Sequence, residues 1–180
     1  MSKITHNIAL TFDEETSACL VEFAQRHLSD IQAGYILGAG SVPHVTLTHL
    51  NMSVEQAQIA QQVFETLECP IDSIDVLNIY SAARENIDRL YCGYTVRKSK
   101  LLVEYQSYVA EKLRREGIET TTSGGDLYFP HITLGNFSGA LAPPWDMSTA
   151  ICEGTCLDTS LSFGYSDDIG QFTNIILSNR

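Results

Sequence analysis

The 180-residue chain lacks the features that would put it in a membrane, on a long nucleic acid or around a structural zinc ion. No apolar run approaches the length of a bilayer-spanning helix. The first residues do not read as a secretion signal, because residues 4–12 alternate apolar with polar and only Lys3 precedes them as a charge. The five cysteines, at 19, 69, 92, 152 and 156, contain no Cys-x-x-Cys pair, and no histidine or second pair accompanies Cys152 and Cys156 as a zinc site requires. They read as reduced thiols of a cytoplasmic protein. Positive charge is scarce too. Eleven Lys and Arg against 22 Asp and Glu leave a net charge of −11, and the cations are scattered. The basic stripe that recruits a long RNA or DNA is missing. A small anionic ligand held in one local pocket remains compatible with this balance. A monomer without a membrane partner is the expectation.

What is present is an ordinary globular pattern, 44% apolar, in a chain long enough to bury a real core. Residues 4–12 read as a strand, with Ile8, Leu10 and Phe12 on one face and Asn7, Ala9 and Thr11 on the other. Asp13 caps a helix whose first turn carries Glu14 and Glu15. A strand over 42–50 leads to Ser53 and Gln56, the capping box of a second helix that Cys69-Pro70 ends. Residues 71–80 and 90–96 form an antiparallel pair. Ser99 caps a third helix, and Gly117 stops it. Residues 120–126 read as a mobile loop, 128–135 as a strand, and 155–163 and 172–177 as two closing strands. The order strand, helix, loop, strand thus occurs twice. No low-complexity linker separates the two units, so a single domain of two tightly packed lobes is expected.

Each unit ends on the same five-residue frame: Pro43-His44-Val45-Thr46-Leu47 and Pro130-His131-Ile132-Thr133-Leu134. With five His and fifteen Thr in the chain, chance supplies about 0.4 His-x-Thr triplets, so two triplets inside one shared frame call for an explanation. Side chains at i and i+2 of a strand share a face, so each His projects with its Thr while Val45, Leu47, Ile132 and Leu134 turn to the core. Two imidazoles around one substrate atom suit acid–base work at neutral pH, where one holds a proton and the other lacks it. The threonine hydroxyls suit the non-bridging oxygens of a phosphate. No carboxylate or third histidine is spaced to complete a metal ligand set, so nothing here calls for a metal.

The paired motifs His44-Val-Thr46-Leu and His131-Ile-Thr133-Leu resemble those of the two-histidine phosphoesterases, which include LigT-like RNA 2′-5′ ligases and cyclic phosphodiesterases. The resemblance covers nearly the whole chain, down to a closing segment over 161–172 that looks like the family's terminal hairpin. It implies an α+β fold of two pseudo-symmetric lobes, each an antiparallel sheet with helices on its outer face, around a central groove. It implies that His44, Thr46, His131 and Thr133 are catalytic, without a cofactor. The implied substrate is a phosphodiester at a ribose 2′ oxygen of a small nucleotide or short RNA end. A phosphodiesterase of 2′-5′ oligoadenylate or cyclic oligonucleotide signals is an alternative. A non-catalytic nucleotide- or RNA-binding module is a third, weakened by the intact pair of titratable groups.

Strand phase nominates further substrate contacts. Phe129, at i−2 from His131, faces the groove and offers a ring for base stacking. Thr48, at i+2 from Thr46, and Asn7 and Thr11, on the polar face of the first strand, are candidates for the same groove, and Gly135 would let a ligand approach. Arg84, Arg97 and Lys98 are available to a second phosphate but read better as solvated surface. His49 is out of phase with His44 and should face away, His6 falls in phase with Ile8 and Leu10, and His27 sits on a helix at the core edge.

Overall fold

The computed structural model describes residues 5–28, 33–38, 40–84, 89–138 and 154–179. Among these residues three helices alternate with nine strands in an α+β arrangement. The first half runs β1 (His6–Thr11), α1 (Glu14–Leu28), β2 (Ala33–Ile36), β3 (His44–Leu50) and α2 (Val54–Glu65). The second runs β4 (Ser73–Arg84), β5 (Arg89–Val96), α3 (Lys100–Arg115) and β6 (His131–Ser138), closing with β7 (Cys156–Asp158), β8 (Ser160–Ser166) and β9 (Phe172–Asn179). Residues 141–150, with the Pro143-Pro144 turn, lie outside the described residues.

Local chemistry sets the helix ends. Asp13 Oδ1 accepts from Thr16 N at 2.7 Å. The expected capping box is present at α2, where Ser53 Oγ accepts from Gln56 N and Gln56 Oε1 accepts from Ser53 N. Ser99 Oγ accepts from Leu102 N at 3.1 Å to start α3. Gly117, at φ 74°, takes the left-handed conformation that ends it.

All strand pairings are antiparallel, in the order β7-β4-β5-β6-β3-β1-β8-β9, with β2 also paired to β6. The order is symmetric about the centre: β3-β1-β8-β9 forms one lobe and β6-β5-β4-β7 the other. The two motif strands are therefore neighbours, joined at Val45↔Ile132. Strand β1, flanked by β3 and β8, is buried along its whole length, so its two sequence faces are both interior.

The lobes are interlocked. Helix α1 follows β1 yet packs against β6, and α3 follows β5 yet packs against β3. Strand β2, in a stretch whose sequence pattern predicts no strand, crosses to pair with β6. In the same way Thr120 crosses from the second unit to bridge Leu50 of β3. Val45, Leu47, Ile132 and Leu134 are fully buried beneath this sheet with Phe23, Leu28, Tyr105 and Val109 of the helices. Burying side chains of this size contributes about 1.5–3 kcal/mol each.

Both motif strands carry a β-bulge at the same place. In β1/β3, Ile8 faces Thr48 but Ala9 faces Thr46, skipping Leu47. In β5/β6, Cys92 faces Gly135 but Gly93 faces Thr133, skipping Leu134. A bulge leaves its extra residue unpaired, and both stranded carbonyls find donors. Gln106 of α3, 1% exposed, donates Nε2–H to Leu47 O at 3.2 Å. Leu37 N, just past β2, donates to Leu134 O at 2.8 Å. Opposite the second bulge, a Cβ on Gly93 would stand 1.9 Å from Ile132 O, so only glycine fits.

Candidate active site

His44, Thr46, His131 and Thr133 line one cleft of about 280 Å³. The antiparallel register explains why. With Val45 opposite Ile132, His44 lies across from Thr133 and Thr46 across from His131. Each imidazole is thus set beside its own strand's threonine and the other strand's threonine.

The two imidazoles are held alike. His44 Nδ1–H donates to Val42 O at 2.7 Å, and His131 Nδ1–H donates to Phe129 O at 2.8 Å. A carbonyl only accepts, so both rings carry hydrogen on Nδ1, which leaves Nε2 for the cleft. In both motifs the acceptor is the residue before the proline. Pro43 and Pro130 have no N–H of their own to compete, and they hold the preceding residue extended.

Their surroundings differ. His44 is 8% exposed, with Phe172 edge-on at 5.5 Å. Burial disfavours its charged form and brings its pKa from 6.5 down to about 4, against the Val42 hydrogen bond and aided by charge on His49 and His131. His131 is half-buried, stacked on Phe129 at 5.2 Å and edge-on to Tyr80 at 5.4 Å. At neutral pH the His44 ring is neutral, with its accepting nitrogen at Nε2.

Asn7 does not enter the cleft. It is fully buried behind Thr46, and its Nδ2–H donates to Thr46 Oγ1 at 3.3 Å. That bond occupies an oxygen lone pair and leaves the Thr46 hydroxyl hydrogen to be given elsewhere. Phe129 does line the cleft, 50% exposed at its rim. Two other nominees lie elsewhere. Thr48 is fully buried, since the bulge turns both Leu47 and Thr48 to the core side. Thr11, 3% exposed, bonds Ser162 Oγ at 2.7 Å beneath β8. Gly135 is closed off by Leu28 and the Tyr35 carbonyl, each 3.0 Å from where a Cβ would stand, so its close approach is to protein. Arg97 pairs with Asp75 at 2.8 Å, and Lys98 donates to Asp126 O at 2.8 Å. Neither lines the cleft, and the side chain of Arg84 lies outside the described residues.

The residue that strand phase misplaced is His49. The bulge at Leu47 shifts the alternation by one, so His49 returns to the face of His44 and Thr46 and lines the cleft. Residues 120–126, read from the sequence as a mobile loop, are fastened to it. Thr121 N donates to His49 O at 3.0 Å, and His49 N donates to Thr122 Oγ1 at 2.9 Å. Tyr80 and Tyr91, also unanticipated, complete an aromatic wall with Phe129. His6, by contrast, is buried between Phe163 and Tyr165, and His27 packs on Phe23 at 4.5 Å. Among the described residues no three His, Cys, Asp or Glu gather as a metal-ligand set, and the four described cysteines are free thiols.

No protein-family model matches the chain, and no curated protein does. Solved structures match over almost its full length. E. coli LigT complexed with 3′-AMP superposes with a TM-score of 0.64 at 14% identity, covering 98% of this chain and 97% of LigT. A crystal structure described as a phosphoesterase gives 0.63 at 13% identity, over 98% and 97%. The MHV ns2 PDE domain gives 0.53 at 15% identity, over 91% and 88%. LigT has also been solved with phosphate, NADP+ and ATP. At these identities the likeness is one of fold.

Proposed function

We propose that this chain, which has the fold of those phosphoesterases, is itself a two-histidine phosphoesterase that cleaves a phosphodiester at a ribose 2′ oxygen of a small nucleotide or RNA end. The observation that carries the reading is the convergence of two His-x-Thr pairs on one cleft, with both Nδ1 atoms committed to backbone carbonyls. The small nucleotides held by LigT support the ligand class.

In this reading His44 is the base. Its low pKa leaves Nε2 unprotonated, ready to take the proton of water or of a neighbouring ribose hydroxyl. As that oxygen bonds phosphorus, the bond from phosphorus to the departing oxygen breaks, and His131 Nε2–H gives that oxygen its proton. Mutual repulsion between the imidazolium forms keeps the second proton off His44 while His131 holds its own. Thr46, oriented by Asn7, and Thr133 donate to the non-bridging oxygens, where charge grows in the transition state. Phe129, stacked on His131, offers its outer rim to the base.

The test is a panel of 2′,3′-cyclic nucleotides, 2′-5′ and 3′-5′ dinucleotides and cyclic dinucleotides, assayed in excess chelator. Cleavage of bonds to a 2′ oxygen, lost by at least ~10²-fold in His44→Ala and His131→Ala with unchanged circular dichroism, is the expected result. Activity confined to 3′-5′ links lacking a 2′ oxygen, or wild-type rates in either variant, would overturn the assignment.

A further inference from the structure

The cleft has two chemically different ends. Toward β4 and β5 the wall is aromatic: Tyr80, Tyr91 and Phe129. Toward β3 and the β8–β9 turn it carries hydrogen-bonding groups, His49, Thr121, Thr122, Ser123 and Gln171, beside Ile169. His49 joins the two segments that form this second wall. Its backbone holds Thr121 and Thr122, and its Nε2–H donates to Gly170 O at 3.1 Å. Gly170 packs directly on the ring; at φ 88° it is in the left-handed region, and a Cβ there would stand 2.9 Å from Nε2.

The hydroxyls of this wall keep capacity for a ligand. Thr122 Oγ1 accepts from His49 N, so its hydrogen is left to donate. Thr121 Oγ1 donates to His49 O at 3.3 Å, so its lone pairs are left to accept. Side by side they match a sugar hydroxyl, which both donates and accepts. Among the described residues no Lys or Arg lines this end to hold a second phosphate.

We infer that this wall is a second subsite, for the hydroxyl-bearing sugar of a nucleoside on the far side of the phosphate from the stacked base, with His49 as its positioning residue. The inference rests on the phosphoesterase reading and narrows it to an acyclic diester with two organic flanks. A cyclic mononucleotide, with one flank, leaves the subsite empty.

The experiment compares a 2′-5′ adenylyl dinucleotide with adenosine 2′,3′-cyclic phosphate in wild type, His49→Leu, His49→Gln and Gly170→Ala. In His49→Leu and Gly170→Ala, KM for the dinucleotide should rise about tenfold, the worth of one or two ligand hydrogen bonds, with kcat held within about threefold. The KM for the cyclic phosphate should not share that rise, so the ratio of the two KM values reads the subsite, and any change that reaches both substrates through His44 cancels in it. His49→Gln, whose amide Nε2–H can replace the imidazole donor to Gly170 O, should restore the wild-type KM. Equal losses on both substrates, or no change on either, would overturn the subsite. If His49→Leu does not fold, Gly170→Ala reads the same KM shift. If wild type cleaves neither compound, the phosphoesterase reading fails, and titration with the dinucleotide and with adenosine 2′-monophosphate judges the subsite alone. A roughly tenfold preference for the dinucleotide that vanishes in Gly170→Ala supports it, and an unchanged preference, or none in wild type, refutes it.

Discussion

Acid should unfold this protein through His44. The free imidazole titrates at 6.5 and the native one at about 4, because its site excludes water. Between those values the unfolded chain binds a proton that the native state refuses, so stability falls as pH falls. The contribution is fully present above pH 6.5, declines through the window, and levels off below about 4. At about 1.4 kcal/mol per tenfold change in acidity, the loss is about 2 kcal/mol at pH 5 and about 3 kcal/mol by pH 4. That is a large fraction of the total for a domain of this size. His6, whose pKa burial also lowers, adds a loss of the same sign. The informative comparison is therefore wild type against His44→Asn. The Asn amide can still donate to Val42 O but does not titrate. Urea unfolding followed by far-ultraviolet circular dichroism, at half-unit steps from pH 7.5 to 4.5 in buffers without phosphate or sulfate, gives the two curves. Wild type should lose about 2 kcal/mol more than the variant between pH 7 and pH 5. Parallel curves would show that the His44 site does not resist protonation, and the assignment of His44 as a neutral base would go with it.

Other perturbations probe the frame. Thr133→Val should lower kcat about 10²-fold while leaving the melting temperature within a few degrees, the behaviour of a donor to a transition-state oxygen, read by steady-state kinetics beside calorimetry. Gly93→Ala should destabilise the fold by more than about 2 kcal/mol, because its Cβ collides with Ile132 O, and a normal melting temperature would disprove the bulge. Gln106→Leu should cost about 1–3 kcal/mol in urea unfolding by orphaning Leu47 O in the core.

Much of the frame was legible because its signals are local. The Ser53–Gln56 box, the Ser99 cap and Gly117 mark helix ends within a few residues of themselves. The pairing of each His with its Thr needs only the two-residue period of a strand. What escaped is non-local. A bulge is encoded partly in the partner strand, here by Gly93 opposite Thr133 and by the small Ala9 opposite Thr46. Phase counted along β3 alone therefore sent His49 away from the cleft and Thr48 into it, the reverse of what the register produces. Strand β2 escaped for a related reason: Ala33–Ile36 is short and gains its order from β6, a hundred residues away in sequence. The segment at 120–126, rich in Thr, Ser and Gly, has the composition of a loop, and only its bonds to His49 make it a wall.

The exchange of α1 and α3 between lobes has a mechanical consequence. Neither half of the chain can cover its own motif strand, since β3 needs α3 above its core face and β6 needs α1. Topologically the molecule is a swapped dimer written on one chain, and separating its halves would strip both cores at once. The two imidazoles are therefore jaws cut from one block, spaced by a single strand-to-strand step at Val45 and Ile132. Among the described residues the two motif strands meet edge to edge, with no connecting loop between the jaws. In the proposed reading the width of a substrate is therefore sensed at the rim, by Thr121, Thr122 and Gly170, which are themselves fastened to β3 through His49.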